Sequence, residues 1–286
     1  MYPKLFGIKF LNMYGLCIGI GVLMCLYFLH FACKRLRIPS KFEDFVTYNA
    51  VISVGVGVLS GMLFQSFYNW IDALKTNPDA KFVFSFSGIT FIGGLIGGVV
   101  TFLSIYFFFG RKRYGAYLMR LLPIAACCIL VAHAFGRLGC LFAGCCYGGP
   151  TDSFIGIVYP EGSSPAYAYP GPNGSLPLWP VPIFESFYLF AVFGVCAYLT
   201  VMKKYKYSMN IYLIAYGIFR FFIEYLRADD RGELISGSSF SPSQIWSIVM
   251  VLMGVAMYFI MPYIIKKLKV DFDPKDEEES LEEQAA

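Results

Sequence analysis

The chain has 286 residues, 57% of them hydrophobic, 19% aromatic and only 15% charged, with a mean hydropathy of +0.60. So little charge over so many apolar runs excludes a water-soluble domain and reads as a polytopic membrane protein. The formal net charge of +4 does not point to nucleic acid: eight carboxylates lie between Asp271 and Glu283, and the basic residues gather at the ends of apolar spans.

Seven spans are predicted, at about 12–32, 46–68, 86–109, 119–142, 183–202, 209–227 and 243–265. Each is near the ~20 residues a helix needs to cross the hydrocarbon core. Lys34, Arg35, Arg37 and Lys41 follow span one; Arg111, Lys112 and Arg113 follow span three. Lys203, Lys204 and Lys206 follow span five; Lys266, Lys267 and Lys269 follow span seven. By the positive-inside rule these ends are cytoplasmic, so the N-terminus is outside and the C-terminus inside. The loop from Gly149 to Val181 has no Lys or Arg and agrees with an outside position. The expected fold is an all-α polytopic integral membrane protein of seven transmembrane helices. Residues 1–269 form the membrane domain, 149–181 a small irregular extracytoplasmic lid with room for a short hairpin, and 270–286 an acidic disordered cytoplasmic tail. The first apolar run lacks a small-residue cleavage site and is read as a span, not a signal peptide.

Span one opens with Tyr14-Gly15-Leu16, where a tyrosine suits the interfacial aromatic belt or a binding pocket. Span three carries Gly88, Gly93, Gly94, Gly97 and Gly98, spaced for close helix packing or for a lipid-tail groove. Span four ends in the stretch His133 to Gly149, HAFGRLGCLFAGCCYGG. Arg137 is a charge at membrane depth, which is costly and marks a functional site. His133 lies one turn before it on the same face. The glycines that follow are expected to break the helix near the outer leaflet, where irregular backbone must be buried in protein or line a cavity.

Glu185, at the outer start of span five, reads as a helix-terminal acid favoured by the helix dipole. In span six, Tyr216, Arg220 and Glu224 are spaced i, i+4, i+8 on one face, and Arg227 continues it. Arg220 and Arg137 are expected to converge on one phosphate, because the guanidinium fork binds phosphate bidentately and stays charged. The alternative is a structural ion pair pinning two helices. Most of the nine cysteines sit in apolar spans as small hydrophobes, with no disulfide framework. Cys145-Cys146 is read as two small residues at a helix break, with a disulfide or an acyl-carrying nucleophile as the alternative, and its C-x4-C-C context is a poor match to zinc-site spacing.

Four segments together resemble the motifs of the prolipoprotein diacylglyceryl transferase family: Tyr14-Gly15-Leu16, Phe91 to Gly97, Gly136-Arg137-Leu138-Gly139-Cys140 running on to Gly148, and Tyr216 to Arg220 with Glu224. Pro180 to Glu185 resembles a further family segment, and the cysteine-rich signature is similar to that of one branch. The resemblance implies transfer of the diacylglyceryl group from phosphatidylglycerol to the cysteine thiol of a lipoprotein precursor, with glycerol phosphate leaving. It implies Arg137, Arg220 and Glu224 as catalytic residues, to which His133 is added from its place one turn before Arg137. Tyr14, Gly139, Cys140, Cys145, Gly148 and Tyr216 are implied around the substrate, with Gly148 letting backbone pass close to the lipid head group. It implies no metal and no soluble cofactor. Its partners are phosphatidylglycerol, prolipoprotein signal peptides and the lipid bilayer, for a monomer in the bacterial cytoplasmic (inner) membrane. Three positions depart from the family pattern: Ile92 stands where many members have histidine, Cys140 where they have asparagine, and Cys145 where they have glutamate. His133 is a candidate to replace the missing base, with a packing role as its alternative. Two other readings stay open: a paralogue that uses the same lipid with a different acceptor, and a non-catalytic lipid-binding membrane protein.

Overall fold

In lipid, backbone polar groups can only be satisfied internally, so long apolar runs resolve into helices. A computed structural model of the chain describes residues 13–85, 88–115, 117–229, 240–268, 270 and 272. In chain order its elements are α1 (Met13–Arg35), α2 (Ser40–Thr76), α3 (Phe91–Ile105), a π-helical turn (Tyr106–Gly110), α4 (Arg111–Tyr114) and α5 (Tyr117–Ala143). There follow α6 (Ser164–Ala168), β1 (Pro170–Gly171), β2 (Gly174–Ser175), α7 (Val181–Lys203), α8 (Ser208–Ile223), a 3-10 turn (Glu224–Leu226) and α9 (Pro242–Leu268). Among the described residues seven helices are long and apolar enough to cross a membrane; the third runs through the π turn as Gly93–Tyr114 and the sixth through the 3-10 turn as Ser208–Leu226. This is the all-α polytopic architecture expected from the sequence. The second span is longer than its apolar stretch, because Lys41, Glu43, Asp44, Asp72 and Lys75 extend the helix with polar turns at both ends. The acidic tail from 273 onward, and the side chain of Ile92, lie outside the described residues.

The chain divides into two compact units, Ile38–Leu118 and the remainder. In the first, α2 and α3 pack through small residues. A Cβ on Gly97 would stand 2.4 Å from Ser60 Cβ, one on Gly93 2.5 Å from Phe64 Cβ, and one on Gly57 2.9 Å from Gly94 O. The glycines of span three are therefore filled by a neighbouring helix, which settles their role as helix packing. Ser60 donates to Gly93 O at 2.9 Å and Asn49 Nδ2 to Phe102 O at 3.0 Å.

In the other unit, α5 is the most buried span. Its Arg120 is buried and donates to Leu36 O at 3.0 Å, closing the C-terminal end of α1. Gly21 of α1 admits Phe135 of α5, and Ser186 of α7 donates to Ala134 O at 3.0 Å. Tyr188 and Phe219 stack at 4.0 Å between α7 and α8. Gly217 and Gly254 let α8 and α9 approach closely, with Asn210 Nδ2 donating to Gly254 O at 2.8 Å.

The helix break expected from the glycines after Arg137 falls at Gly144. Gly136 and Gly139 stay helical, and α5 ends at Ala143, where Gly144 takes φ +66°. A glycine in a well-packed helix interior costs only about 1 kcal/mol, so two of them do not stop it. The loop from 144 to 180 is a small head around Tyr147, Tyr159 and Leu178, with the expected short hairpin at β1–β2. It is tied to the end of α8 by Gly149 N–H to Leu226 O (2.9 Å) and internally by Gly148 N–H to Trp179 O (3.0 Å).

Candidate active site

Glu185, near the start of α7, is the hub of a buried polar centre. It has no solvent exposure. Its Oε2 is 3.2 Å from Arg137 Nη1 and 3.6 Å from Arg227 Nη1, and its Oε1 is 3.5 Å from Arg220 Nε. Tyr216 donates its hydroxyl to Oε1 at 3.3 Å. Glu185 is thus no simple helix-terminal acid: α7 supplies an apolar first turn, Val181 to Phe184, that carries the carboxylate into the bundle. An ion buried this way persists only if paired, and here three guanidiniums pair it.

Each arginine has a second support. Arg137 Nη2 donates to Tyr216 Oη at 3.3 Å. Arg220 Nη2 is 2.7 Å from Glu224 Oε2, the i,i+4 pair read from the sequence, and 2.9 Å from Ser243 Oγ. Ser241 donates to Glu224 Oε1 at 2.7 Å, so the start of α9 fixes the acid that fixes Arg220. Arg227 makes two bonds to Asp229, at 2.9 and 2.7 Å, and lies 3.8 Å from Glu224. Burial works against the Arg227 charge, and the Asp229 bonds outweigh it, so its pKa lies above the ordinary arginine value. Three guanidiniums therefore face three carboxylates, and the described centre is neutral overall. Three buried guanidinium nitrogens, Arg137 Nε, Arg220 Nη1 and Arg227 Nη1, nevertheless lack a hydrogen-bond acceptor among the described residues.

His133 sits one turn before Arg137, its Nε2 3.3 Å from Tyr216 Oη and its ring edge-on to the tyrosine at 4.7 Å. Tyr216 thus touches His133, Arg137 and Glu185 at once. Tyr14 lies against Gly139, where a Cβ would meet its ring at 3.0 Å, and has Arg137, Cys140, Cys145 and Cys146 as electrostatic neighbours. The sulfurs of Cys140, Cys145 and Cys146 lie within 4.8 Å of one another. The Cys140 and Cys145 thiols hold the Cys146 thiol below its usual pKa, and the Arg227 guanidinium, bonded to it, acts in the same direction. Tyr159 is pushed up to about 12, chiefly by burial.

Of the residues expected from the sequence, Arg137, Arg220, His133, Glu224 and Tyr216 come together in one centre, with Tyr14, Gly139, Cys140 and Cys145 beside it. Gly148 has an explanation besides the one expected. A Cβ there would stand 2.6 Å from Leu226 O and from Trp179 Cβ, so close packing within the protein already calls for a glycine at this position. Sequence reasoning missed Glu185, Ser241 and Ser243 as members of the centre. It placed Arg227 only on the face of Arg220. The signal for Glu185 was its place in the segment Pro180 to Glu185; for the two serines there was none.

A profile of the prolipoprotein diacylglyceryl transferase family matches residues 3–260. The chain is 32% identical over 259 residues to phosphatidylglycerol–prolipoprotein diacylglyceryl transferase 2 of Clostridium perfringens, covering 90% of this chain and 93% of that protein. It is 29% identical over 258 residues to the phosphatidylglycerol–prolipoprotein diacylglyceryl transferase of Clostridium tetani (90% and 95% covered), and 28% over 257 residues to that of Rickettsia africae (85% and 90%). The profile takes in α5, α7 and α8, which carry the arginines and Glu185, and the chain belongs to the prolipoprotein diacylglyceryl transferase family.

Proposed function

We propose that this chain moves the diacylglyceryl group of phosphatidylglycerol onto the cysteine thiol of a prolipoprotein, in the outer leaflet of the bacterial cytoplasmic membrane. The observation that carries the reading is the set of three buried guanidinium donors without acceptors, converging from α5 and from α8 and its C-terminal end. A phosphodiester offers the oxygens they lack, in forked geometry. The acceptor sulfur attacks the terminal glyceryl carbon, a new C–S bond forms, and the C–O bond to phosphate breaks. The electron pair leaves with glycerol phosphate, and guanidiniums in a water-poor site stabilise its growing charge.

Within this reading Glu185 holds the guanidiniums in place before lipid arrives, Glu224 and Ser243 aim Arg220, and Tyr216 links His133 to the centre. The basic clusters at alternate helix ends put the N-terminus and the head loop outside. The test is transfer from labelled phosphatidylglycerol to a single-cysteine lipobox peptide by the purified chain in detergent. Labelling lost in both Arg137→Ala and Arg220→Ala supports the reading. Lipid consumed without peptide labelling favours a different acceptor, a reading to which the departures at Ile92 and Cys145 lend some weight. Lipid bound without turnover removes the catalytic reading. His133→Ala with unchanged turnover would remove His133 as the replacement base.

A further inference from the structure

The three thiols of Cys140, Cys145 and Cys146 lie beside the arginine centre, and their arrangement is specific. Cys140 is on the last turns of α5; Cys145 and Cys146 follow the Gly144 turn. Adjacent residues in extended chain point apart. Here Cys146 adopts φ +62°, a conformation that costs an L-residue of order 1 kcal/mol and persists where surroundings impose it. The reversal brings all three sulfurs to within 4.8 Å of one another. Thiolates around a tetrahedral zinc at about 2.3 Å stand roughly 3.8 Å apart, so side-chain rotations of about 1 Å close the cluster on an ion. Sequence spacing hid this, since C-x4-C-C is no zinc-finger pattern.

Two further observations point to a ligand there. Tyr159 is fully buried beside Cys145 and Cys146, and its hydroxyl has no hydrogen-bond partner among the described residues. A metal-bound thiolate would give it an acceptor, the outer-shell contact that thiolate sites use. The surrounding charge also fits. Three thiolates and a divalent ion carry a net charge of −1, and Arg227 is bonded to Cys146 while Arg137 neighbours Cys140 and Cys146. The structural zinc sites of folded domains are closed by four ligands, whereas three protein ligands leave the open position of a catalytic site.

We propose that Cys140, Cys145 and Cys146 bind one zinc ion whose fourth position takes the acceptor cysteine as thiolate. The catalytic half of this proposal rests on the transferase reading above; the metal site does not. The acceptor S–H displaces a zinc-bound water, and its proton passes to solvent. The zinc-bound sulfur then forms the C–S bond as the C–O bond to phosphate breaks. The product thioether, a far weaker ligand than a thiolate, leaves and water returns. No electron is transferred to or from the metal. The step supplies what the histidine absent at Ile92 would otherwise supply, a deprotonated acceptor. It also places that acceptor one guanidinium, Arg227, away from Glu185.

The test takes the full chain in detergent, reduced, stripped with a chelator and dialysed against zinc. One zinc per chain by elemental analysis is expected, with a thiolate-to-metal charge-transfer band when cobalt(II) replaces it. The band requires no variant, so it stands even if substitutions unfold the protein. Cys146→Ser and Cys140→Ser should weaken zinc binding at least tenfold. Peptide labelling should fall at least tenfold on stripping and return with zinc. Absence of stoichiometric zinc and of the cobalt band, or a disulfide among these cysteines in the active enzyme, would overturn the proposal. Zinc bound by the cysteines with turnover unaffected by stripping would overturn the catalytic half. Zinc binding with no peptide labelling under any condition would count against the transferase reading and leave the metal site standing.

Discussion

The contact between α2 and α3 is made of glycine and serine, whereas the contact of α5 with α7 and α8 is made of arginine and glutamate. Both lie in spans long and apolar enough to cross a membrane, but only the first brings helix backbones closer than large side chains allow. In the first, the buried polar side chains are Asn49, Ser53 and Ser66, all neutral, and at least Asn49 bonds a backbone carbonyl of the facing helix. Lipid tails are as apolar as leucine, so close backbone approach and a few hydrogen bonds are what hold such a pair. In the second, three arginines and three acids are buried together, an arrangement that replacement by apolar residues would often make more stable. Structure alone does not call for it. The difference teaches where binding chemistry lies: among the described residues, the charged contact still holds buried guanidinium donors without acceptors and the glycine contact holds none.

The sharpest way to break this comparison is Glu185→Gln. It leaves three guanidiniums around a neutral amide, and the cost to folding is expected at about 3–5 kcal/mol, read from thermal unfolding in detergent. An unchanged Tm would mean the centre is not held by that carboxylate. Next is Arg220→Ala, expected to lower peptide labelling about 10²- to 10³-fold, the usual loss when one preorganised donor is removed. Gly97→Leu forces a side chain into the space of Ser60 and should cost about 1–3 kcal/mol in the same unfolding measurement. A Tm equal to that of the parent would show that α2 and α3 do not pack as tightly as described. The smallest effect expected is from Ser243→Ala. Arg220 keeps Glu224, so the loss is about 1 kcal/mol and labelling falls roughly fivefold. A loss as large as that of Arg220→Ala would make Ser243 a substrate contact instead of an aiming residue.

The seven spans were legible because hydropathy and helix length are properties of the chain itself. Arg137, Arg220 and Glu224 were legible because charges at membrane depth announce themselves and i,i+4 spacing gives the pairing. Glu185 was misread, because a lone acid at a helix start has an ordinary explanation and only the fold reveals that it is fully buried. The three-sulfur cluster was hidden for a different reason. It depends on the backbone reversal at Cys146, and no residue type in that stretch signals a left-handed cysteine. The crowding of Gly148 by Trp179 and Leu226 was hidden too, because the sequence places both far away.

The neutrality of the charged centre has a consequence for which molecules it admits. Three arginines alone would form an open trap for any soluble phosphate or nucleotide reaching them. Among the described residues Glu185, Glu224 and Asp229 offset the three arginines, which weakens the long-range field of the cluster and leaves short-range donors. A phosphate held in register by its own acyl chains arrives at those donors from the side, while a free anion in water has nothing to draw it in. Inorganic phosphate at cellular concentrations should therefore be a poor competitor, and the lipid's tails act as its entry permit.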